Sequence, residues 1–294
     1  MRLRFLGTKA YTEKRSRRHS KDSAVLFEDK GVRLLLDCGE DHADAPSRLK
    51  PDAILITHGH PDHVGGLKDY DGSIPVYLSD ETDEITKDWP FEKRFRFRRG
   101  ASFQIGHLTI ETVPVVHSTR APAVGFIIDG GRFRIGYFPD WLDFERESDR
   151  NKLKNLDLLI SDGSAVSRSI VRRVDSERVG HISMKKALRL AKELGIRRVI
   201  FTHFGDEVLT RGDEAVIEEL KEEGAPFSFA KDGFEFELER FEEFHKEGYD
   251  PSKLDDRVLA DDFRLLAAKY SNMLSGKKTE FRDLDELYSF GEKL

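Results

Sequence analysis

Cysteine is nearly absent: Cys38 stands alone in 294 residues. An intramolecular disulfide framework is therefore excluded, and so is a thiolate cluster for a soft metal. Cys38 itself lies in an apolar run and reads as a core filler. Methionine is scarce too, at 3, while charged residues reach 35%, a combination that heat-tolerant proteins tend to have. No apolar run approaches the ~20 residues of a membrane span, so a membrane partner is not expected. Met1 to Gly7 reads as a short strand with no long apolar region behind it. A secretory signal is not expected, and the expected location is the cytoplasm. A basic excess is also missing. Lys and Arg number 49 against 55 Asp and Glu, giving a formal charge of -6 and a pI near 6.0, which disfavours a non-specific nucleic-acid binder. Internal repeats and low-complexity tracts are absent.

A hydrophobic fraction of 38% with 21 Phe suffices for a sizeable core and argues against disorder. The length suits one large α/β domain plus an appendage. Charge is unevenly distributed: between residues 2 and 22 lie Arg2, Arg4, Lys9, Lys14, Arg15, Arg17, Arg18 and Lys21, against only Glu13 and Asp22. That stretch is either a solvated loop or a basic rim able to meet a phosphate.

Hydrophobic patterning predicts strands at Leu3–Leu6, Ala24–Phe27, Val32–Leu36, Ala53–Ile56, Val76–Leu78, Leu108–Val113, Val124–Ile128, Phe133–Tyr137, Leu158–Ile160, Arg198–Thr202 and Phe234–Leu238. Asp29-Lys30-Gly31 and Gly130-Gly131 read as hairpin turns. Helices are predicted at Asp80–Lys87, Met184–Leu194 and Asp213–Glu222. In the second, Ser183 caps the start, Ala187, Leu188, Ala191 and Leu194 line one face, and Gly195 stops it. After residue 240 the texture changes: Leu254–Leu274 and Leu284–Phe290 are amphipathic and helical, preceded by a break at Gly248 to Pro251. The expected organisation is a hydrolase domain over 1–239 and a helical extension over 240–294.

The informative stretch is Thr57-His58-Gly59-His60-Pro61-Asp62-His63. Three imidazoles and a carboxylate fall within six residues, directly after an apolar strand. Imidazole nitrogen and carboxylate oxygen suit Zn²⁺ and similar first-row ions. In an extended loop His58 and His60 point the same way, and Asp62 and His63 come round after a turn forced by Pro61. One loop can thus serve two adjacent metals, and Gly65-Gly66 lets the backbone pass close by. Several other strands also end in His or Asp.

Thr57 to Gly66, Thr-His-Gly-His-Pro-Asp-His-Val-Gly-Gly, closely resembles the HxHxDH loop of the metallo-β-lactamase superfamily. Pro114-Val115-Val116-His117-Ser118, Gly136-Tyr137-Phe138-Pro139-Asp140 and Phe201-Thr202-His203-Phe204 resemble the family's further ligand segments, in the expected order. The similarity spans roughly residues 1–238. It implies an α/β fold, a four-layer αββα sandwich, here with a C-terminal helical extension. It implies two divalent metal ions, Zn²⁺ or Mn²⁺, which an all-N/O donor set does not distinguish. His58, His60 and His117 would hold one ion, Asp62, His63 and His203 the other, with Asp140 bridging. For Asp140 the competing role is a turn or helix cap.

Gly180-His181-Ile182-Ser183 before a helix, followed by Thr202-His203-Phe204, resembles the phosphodiesterase branch of RNase Z and the cyclic-phosphate phosphodiesterases. There His181 would sit over the metals and serve the phosphate or leaving group; the competing role is a structural hydrogen bond at the helix start. Asp62 would orient an attacking hydroxide as well as bind metal, the pKa of its water lowered from about 15.7 toward about 7 by two ions about 3.5–4 Å apart. Arg120, Ser164 and Arg168 are candidate substrate contacts, as are Ser167, Arg172 and Arg173, and Asp162 is a candidate supporting residue. Each arginine or serine has solvation as its competing explanation. Two departures matter. The long Gly/Pro-rich arm of RNase Z is missing, which argues against tRNA processing, and so is a zinc-ribbon-like Cys cluster.

The leading expectation is a phosphodiesterase acting on a small cyclic or nucleotide-like phosphodiester. A carboxylic ester, thioester or lactone hydrolase, a nuclease on single-stranded RNA or DNA, and a metal-dependent scaffold are the alternatives. A homodimer through the tail or a sandwich edge is left open.

Overall fold

A computed structural model describes residues 1–223 and 225–238. The helices expected at Leu254–Leu274 and Leu284–Phe290 lie outside the described residues. Strands dominate, arranged as two large sheets and one two-stranded hairpin. The first runs Glu235–Glu237, Arg2–Gly7, Ala24–Asp29, Val32–Leu36, Ala53–Leu55, Val76–Ser79, Arg94–Phe97. The second runs Asp143–Phe144, Leu108–Val116, Ala123–Asp129, Arg134–Phe138, Leu158–Asp162, Val199–Thr202, Phe227–Phe229, with Ser102–Ile105 also paired to Leu108–Val116.

Period-two alternation sorts side chains into layers. Leu34 and Leu36 point between the sheets, where Leu3, Phe5, Phe27 and Leu55 meet Phe126, Ile128, Ile135, Tyr137 and Ile160. Leu35, on the other face, joins Leu26, Ile54 and Val76 beneath Ala45, Leu49, Val64 and Leu67. The second sheet's outer face, with Ile127, Phe138, Leu159, Val199 and Phe201, is covered by Met184, Ala187, Leu188, Ala191, Val216 and Leu220. Three apolar interfaces separate four layers, helix–sheet–sheet–helix. Fully burying each large aliphatic side chain contributes about 1.5–3 kcal/mol, so the three interfaces together hold the sandwich.

Helix Met184–Glu193 starts as the sequence predicts. The Ser183 hydroxyl accepts from the Lys186 N–H, and Gly195, at φ +67°, turns the chain away. The hairpin at Lys30-Gly31 has positive φ at both residues, 44° and 86°, as a type I′ turn requires. No helix among the described residues is long and apolar enough to cross a membrane.

Several elements lie outside the sequence expectation. Strands Arg94–Phe97, Ser102–Ile105 and the hairpin Ile170–Val174/Glu177–His181 are rich in arginine and polar side chains. Their burial is partial, so their apolar signal is weak. The turn expected at Pro61 is one turn of helix, Pro61–Val64. Proline fits its first position, because φ is preset and no N–H is needed there.

The topology places the site. Val32–Leu36, Ala53–Leu55, Val76–Ser79 and Arg94–Phe97 run parallel, as do Arg134–Phe138, Leu158–Asp162, Val199–Thr202 and Phe227–Phe229. Parallel strands open their carboxyl ends on one edge, where ligands bind in such sheets. Asp37, Thr57-His58, Asp140, Asp162 and His203 all lie at or just beyond those ends.

Candidate metal centre

Thr57 anchors the motif loop: its N–H and hydroxyl donate to Asp37 Oδ1 at 2.8 and 3.0 Å. His58 follows and is completely buried. The helical turn Pro61–Val64 then swings Asp62 and His63 to the far side of the centre. The return is tight. A Cβ on Gly66 would meet the Gly39 carbonyl at 2.5 Å, as its Gly-Gly sequence anticipates.

Two donor groups share one carboxylate. His58, His60, His117 and Asp140 form the first, and Asp62, His63, His203 and Asp140 the second, with the donor atoms of each group within 4.8 Å of one another. Asp140 Oδ2 lies 3.4 Å from His58 Nε2, 3.5 Å from His117 Nε2 and 3.1 Å from His63 Nε2. On the second side His203 Nε2 lies 3.1 Å and His63 Nε2 3.4 Å from Asp62 Oδ2.

The far side of each imidazole explains the orientation. His63 Nδ1 donates to Asp37 Oδ2 at 2.8 Å, and His117 Nδ1 to the Gly180 carbonyl at 3.2 Å. His58 Nδ1 meets Thr57 Oγ1 at 3.0 Å, and His203 Nδ1 meets Ser164 Oγ at 3.0 Å. Both hydroxyls already donate elsewhere, to Asp37 and to the His203 carbonyl, so each accepts here. All four imidazoles are thus held with Nδ1 engaged outward and Nε2 turned inward, as ligand histidines are. His60 instead turns Nδ1 inward, 2.9 Å from His58 Nε2 and 3.2 Å from His117 Nε2.

This donor set fits divalent ions. His63 Nε2 is buried without a hydrogen-bond partner, and such an orphan is costly unless something positive meets it. Convergent imidazole nitrogens make the same demand. Burial pushes His58, His60 and His117 down to about 4, keeping them neutral and able to ligate at neutral pH. Burial opposes charge on Asp62 and Asp140 as well, but the neighbouring histidines hold both well below the usual carboxylate range. Burial also opposes protonation of His203, yet Asp140, Asp162 and Asp62 raise it to about 9.

His181 closes the mouth. Its Nδ1 lies 2.8 Å from Asp140 Oδ1 and 2.9 Å from Asp162 Oδ2, and its side chain keeps 17% exposure. Asp162 is fixed in turn by the Ser164 N–H at 2.8 Å. His181 ends a strand, Glu177–His181, and is not the loop residue its position before a helix suggests. Gly180 makes this possible: at φ +138°, a Cβ there would strike the Ile170 carbonyl at 1.9 Å.

All seven expected ligands therefore converge, and His181 stands beside them. The expected substrate contacts do not join them. Ser164 is buried beside His203 with its hydroxyl engaged there. Ser167 bonds Glu219. Arg120 and Arg168 are exposed, without a contact to the donor groups among the described residues. The basic stretch 2–22 is largely neutralised: Lys9 pairs with buried Asp22, Arg15 with Asp41, Arg18 with Asp213 and Glu214, and Arg2 and Arg4 with Glu235. Cys38 is buried and free, as a core filler. Sequence reasoning missed Asp37 and Tyr137, whose hydroxyl donates to Asp37 Oδ2 at 3.0 Å. The signal was available, since Leu34-Leu35-Leu36-Asp37 repeats the apolar-strand-then-carboxylate pattern of Ile160-Ser161-Asp162.

The family model of the beta-lactamase superfamily domain matches residues 32–204, more than half of the chain. The chain belongs to the beta-lactamase superfamily. Members are generally metal-dependent hydrolases, and the candidate donor groups agree with that. The fold is similar to that of the metallo-beta-lactamase fold protein YhfI from Bacillus subtilis, with a TM-score of 0.64, 21% identity and coverage of 80% of this chain and 98% of that one. It is also similar to a diphosphatase of the PhnP family, with a TM-score of 0.62, 19% identity and coverage of 80% and 97%. Human tRNase Z, short form, superposes with a TM-score of 0.58 at 19% identity over 81% and 99%. Among curated relatives, the chain is 32% identical to ribonuclease Z of Bradyrhizobium diazoefficiens over 142 residues, 47% of this chain and 44% of that protein. It is 24% identical to an octanoyltransferase of Porphyromonas gingivalis over 213 residues, 65% of this chain and 40% of that protein. The matches span less than two thirds of these relatives' own lengths.

Proposed function

We propose that this superfamily member is a binuclear phosphodiesterase acting on a small cyclic or nucleotide-like phosphodiester. The observation that carries the reading is His181, held by Asp140 and Asp162 beside two donor groups that share Asp140. A carbonyl hydrolase would use the same donor groups, and its leaving alkoxide also takes a proton, so the choice between the two rests on the assay below.

His58, His60, His117 and Asp140 would hold one ion, and Asp62, His63, His203 and Asp140 the other, as Zn²⁺ or Mn²⁺. When bound, such a pair supplies Lewis acidity toward phosphoryl oxygen and acidifies water. Asp62 accepts a hydrogen bond from the nucleophilic water and orients it. His181 has Nδ1 engaged by two carboxylates, so its Nε2 is the atom left for substrate. A proton held at Nε2 can pass to the leaving oxygen as the P–O bond breaks. Asp162 keeps the ring oriented throughout, as a carboxylate behind a catalytic imidazole does.

The test is a side-by-side assay of metal-loaded protein on a nitrophenyl phosphodiester, a nitrophenyl carboxylic ester and a lactone. Turnover of the phosphodiester above the other two is expected. Turnover of the ester or lactone alone would replace the reading with carbonyl hydrolysis by the same donors.

A further inference from the structure

The hairpin Ile170–Val174/Glu177–His181 is a two-stranded sheet of its own, joined to neither large sheet. Asp175 and Ser176 make its turn, with φ of 47° and 74°. Its base is firmly mounted. The Gly180 N–H donates to the His117 carbonyl at 2.8 Å, His117 Nδ1 donates back to the Gly180 carbonyl, and the Ile182 N–H donates to the Trp141 carbonyl at 2.6 Å. One candidate ligand, and the neighbour of another, thus fix the hairpin, and its last residue is His181.

Its charge is unusual for this chain. Arg172, Arg173 and Arg178 are exposed on it, and exposed Arg168 leads into it. Arg173 lies directly opposite Arg178, and like charges in that position destabilise a strand pair. None of the four makes an ion pair among the described residues. Three arginines elsewhere are held by two acids each: Arg99 by Glu81 and Glu145, Arg150 by Glu147 and Glu193, Arg211 by Glu207 and Glu219. In a chain of net charge -6, the three arginines on the ribbon and Arg168 before it outnumber the hairpin's two acids, Asp175 and Glu177, and favour an approaching anion. Arg172 lies opposite Val179, two residues before His181, which is about 7 Å along the strand.

We infer that this hairpin is a subsite for a second phosphate, so that the substrate is a nucleotide carrying a further phosphate beside the scissile diester. The inference deepens the phosphodiesterase reading and rests on it. Guanidinium groups suit the task, since each can grip a phosphate through two parallel hydrogen bonds. A substrate with one phosphate would engage the centre alone.

Calorimetric titration of the metal-loaded protein with thymidine 5′-monophosphate and with thymidine 3′,5′-bisphosphate reads the subsite without needing turnover. The wild-type chain should bind the bisphosphate about tenfold tighter or more, the effect of one charge-assisted contact. The preference should fall to about twofold or less in Arg172→Ala/Arg173→Ala/Arg178→Ala, and return in part in the matching triple lysine variant. Circular dichroism checks that each variant is folded, and the single variant Arg172→Ala replaces any that is not. Equal affinity of the wild type for both ligands, or an unchanged preference in the alanine variant, would overturn the subsite. Hydrolysis of bis-p-nitrophenyl phosphate, run in parallel, is a separate readout. Its absence with the bisphosphate preference intact would overturn the phosphodiesterase reading and leave the anion subsite standing.

Discussion

The imidazole of His63 and the carboxylate of Asp37 meet at 2.8 Å, both wholly buried. Asp37 also takes hydrogen bonds from Thr57 and Tyr137, so its position is fixed from three directions. The contact keeps the proton on His63 Nδ1 and presents Nε2 to the centre. Asp37→Ala should therefore weaken metal binding about 10–100-fold, read by competition with a chromogenic chelator. Asp37→Asn should retain more of the affinity, because it keeps the shape. Unchanged affinity in Asp37→Ala would show that His63 needs no such support.

His181 has a different dependence. If it protonates the leaving oxygen, His181→Ala should slow diesters of poor leaving groups about 10²–10⁴-fold. A nitrophenolate leaves without help and should be slowed far less. Comparing an alkyl with a nitrophenyl leaving group on one substrate separates these cases. An equal loss on both would assign His181 to binding.

The metal-free protein should have a bell-shaped stability profile. His58, His60 and His117 titrate at about 4 when folded and at about 6.5 when unfolded. Between those values the unfolded chain binds more protons, so stability falls as pH drops below about 6.5. His203, raised to about 9, has the opposite sign: its contribution is full below about 6.5 and is lost as pH rises through about 9. The melting temperature of chelator-treated protein should peak near pH 6–7. A profile still rising at pH 9 would contradict the assigned environments.

Cys38 should be inert. Burial, with Asp37 adjacent, pushes its thiol far above the ordinary range, and only the thiolate reacts. A disulfide-exchange reagent should modify it on the order of a thousandfold more slowly in the native protein than in denaturant. Rapid native labelling would mean that the layer containing Leu35 and Val64 opens readily.

Much of this candidate site was legible because its candidate ligands lie where apolar strands stop. His58 follows Ala53–Leu55, Asp140 follows Arg134–Phe138 and His203 follows Val199–Thr202, so each ligand adjoins a segment with a strong period-two signal. Asp37 has the same placement but no neighbouring histidine in sequence; its partner His63 is 26 residues away, and only folding pairs them. That the Ser164 hydroxyl faces His203 was hidden for a related reason, since the contact is 39 residues distant. Arg168, Arg172 and Arg173 were marked as candidate contacts, but the strand pairing that carries them was not, because exposed ribbons have little hydrophobic pattern and the turn at Asp175 and Ser176 has no glycine to mark it. His203 has φ +58°, a strained conformation for a non-glycine residue that sequence does not advertise.

The central claim is a two-ion centre bridged by Asp140 that hydrolyses phosphodiesters. The most direct measurement titrates chelator-stripped protein with Zn²⁺ or Mn²⁺ and follows bound metal and bis-p-nitrophenyl phosphate turnover together, for the wild type and for Asp140→Ala. The account expects two ions per chain, turnover that rises with the second, and loss of both paired binding and turnover in Asp140→Ala. Saturation at one ion, or two ions bound without diester turnover, would contradict it.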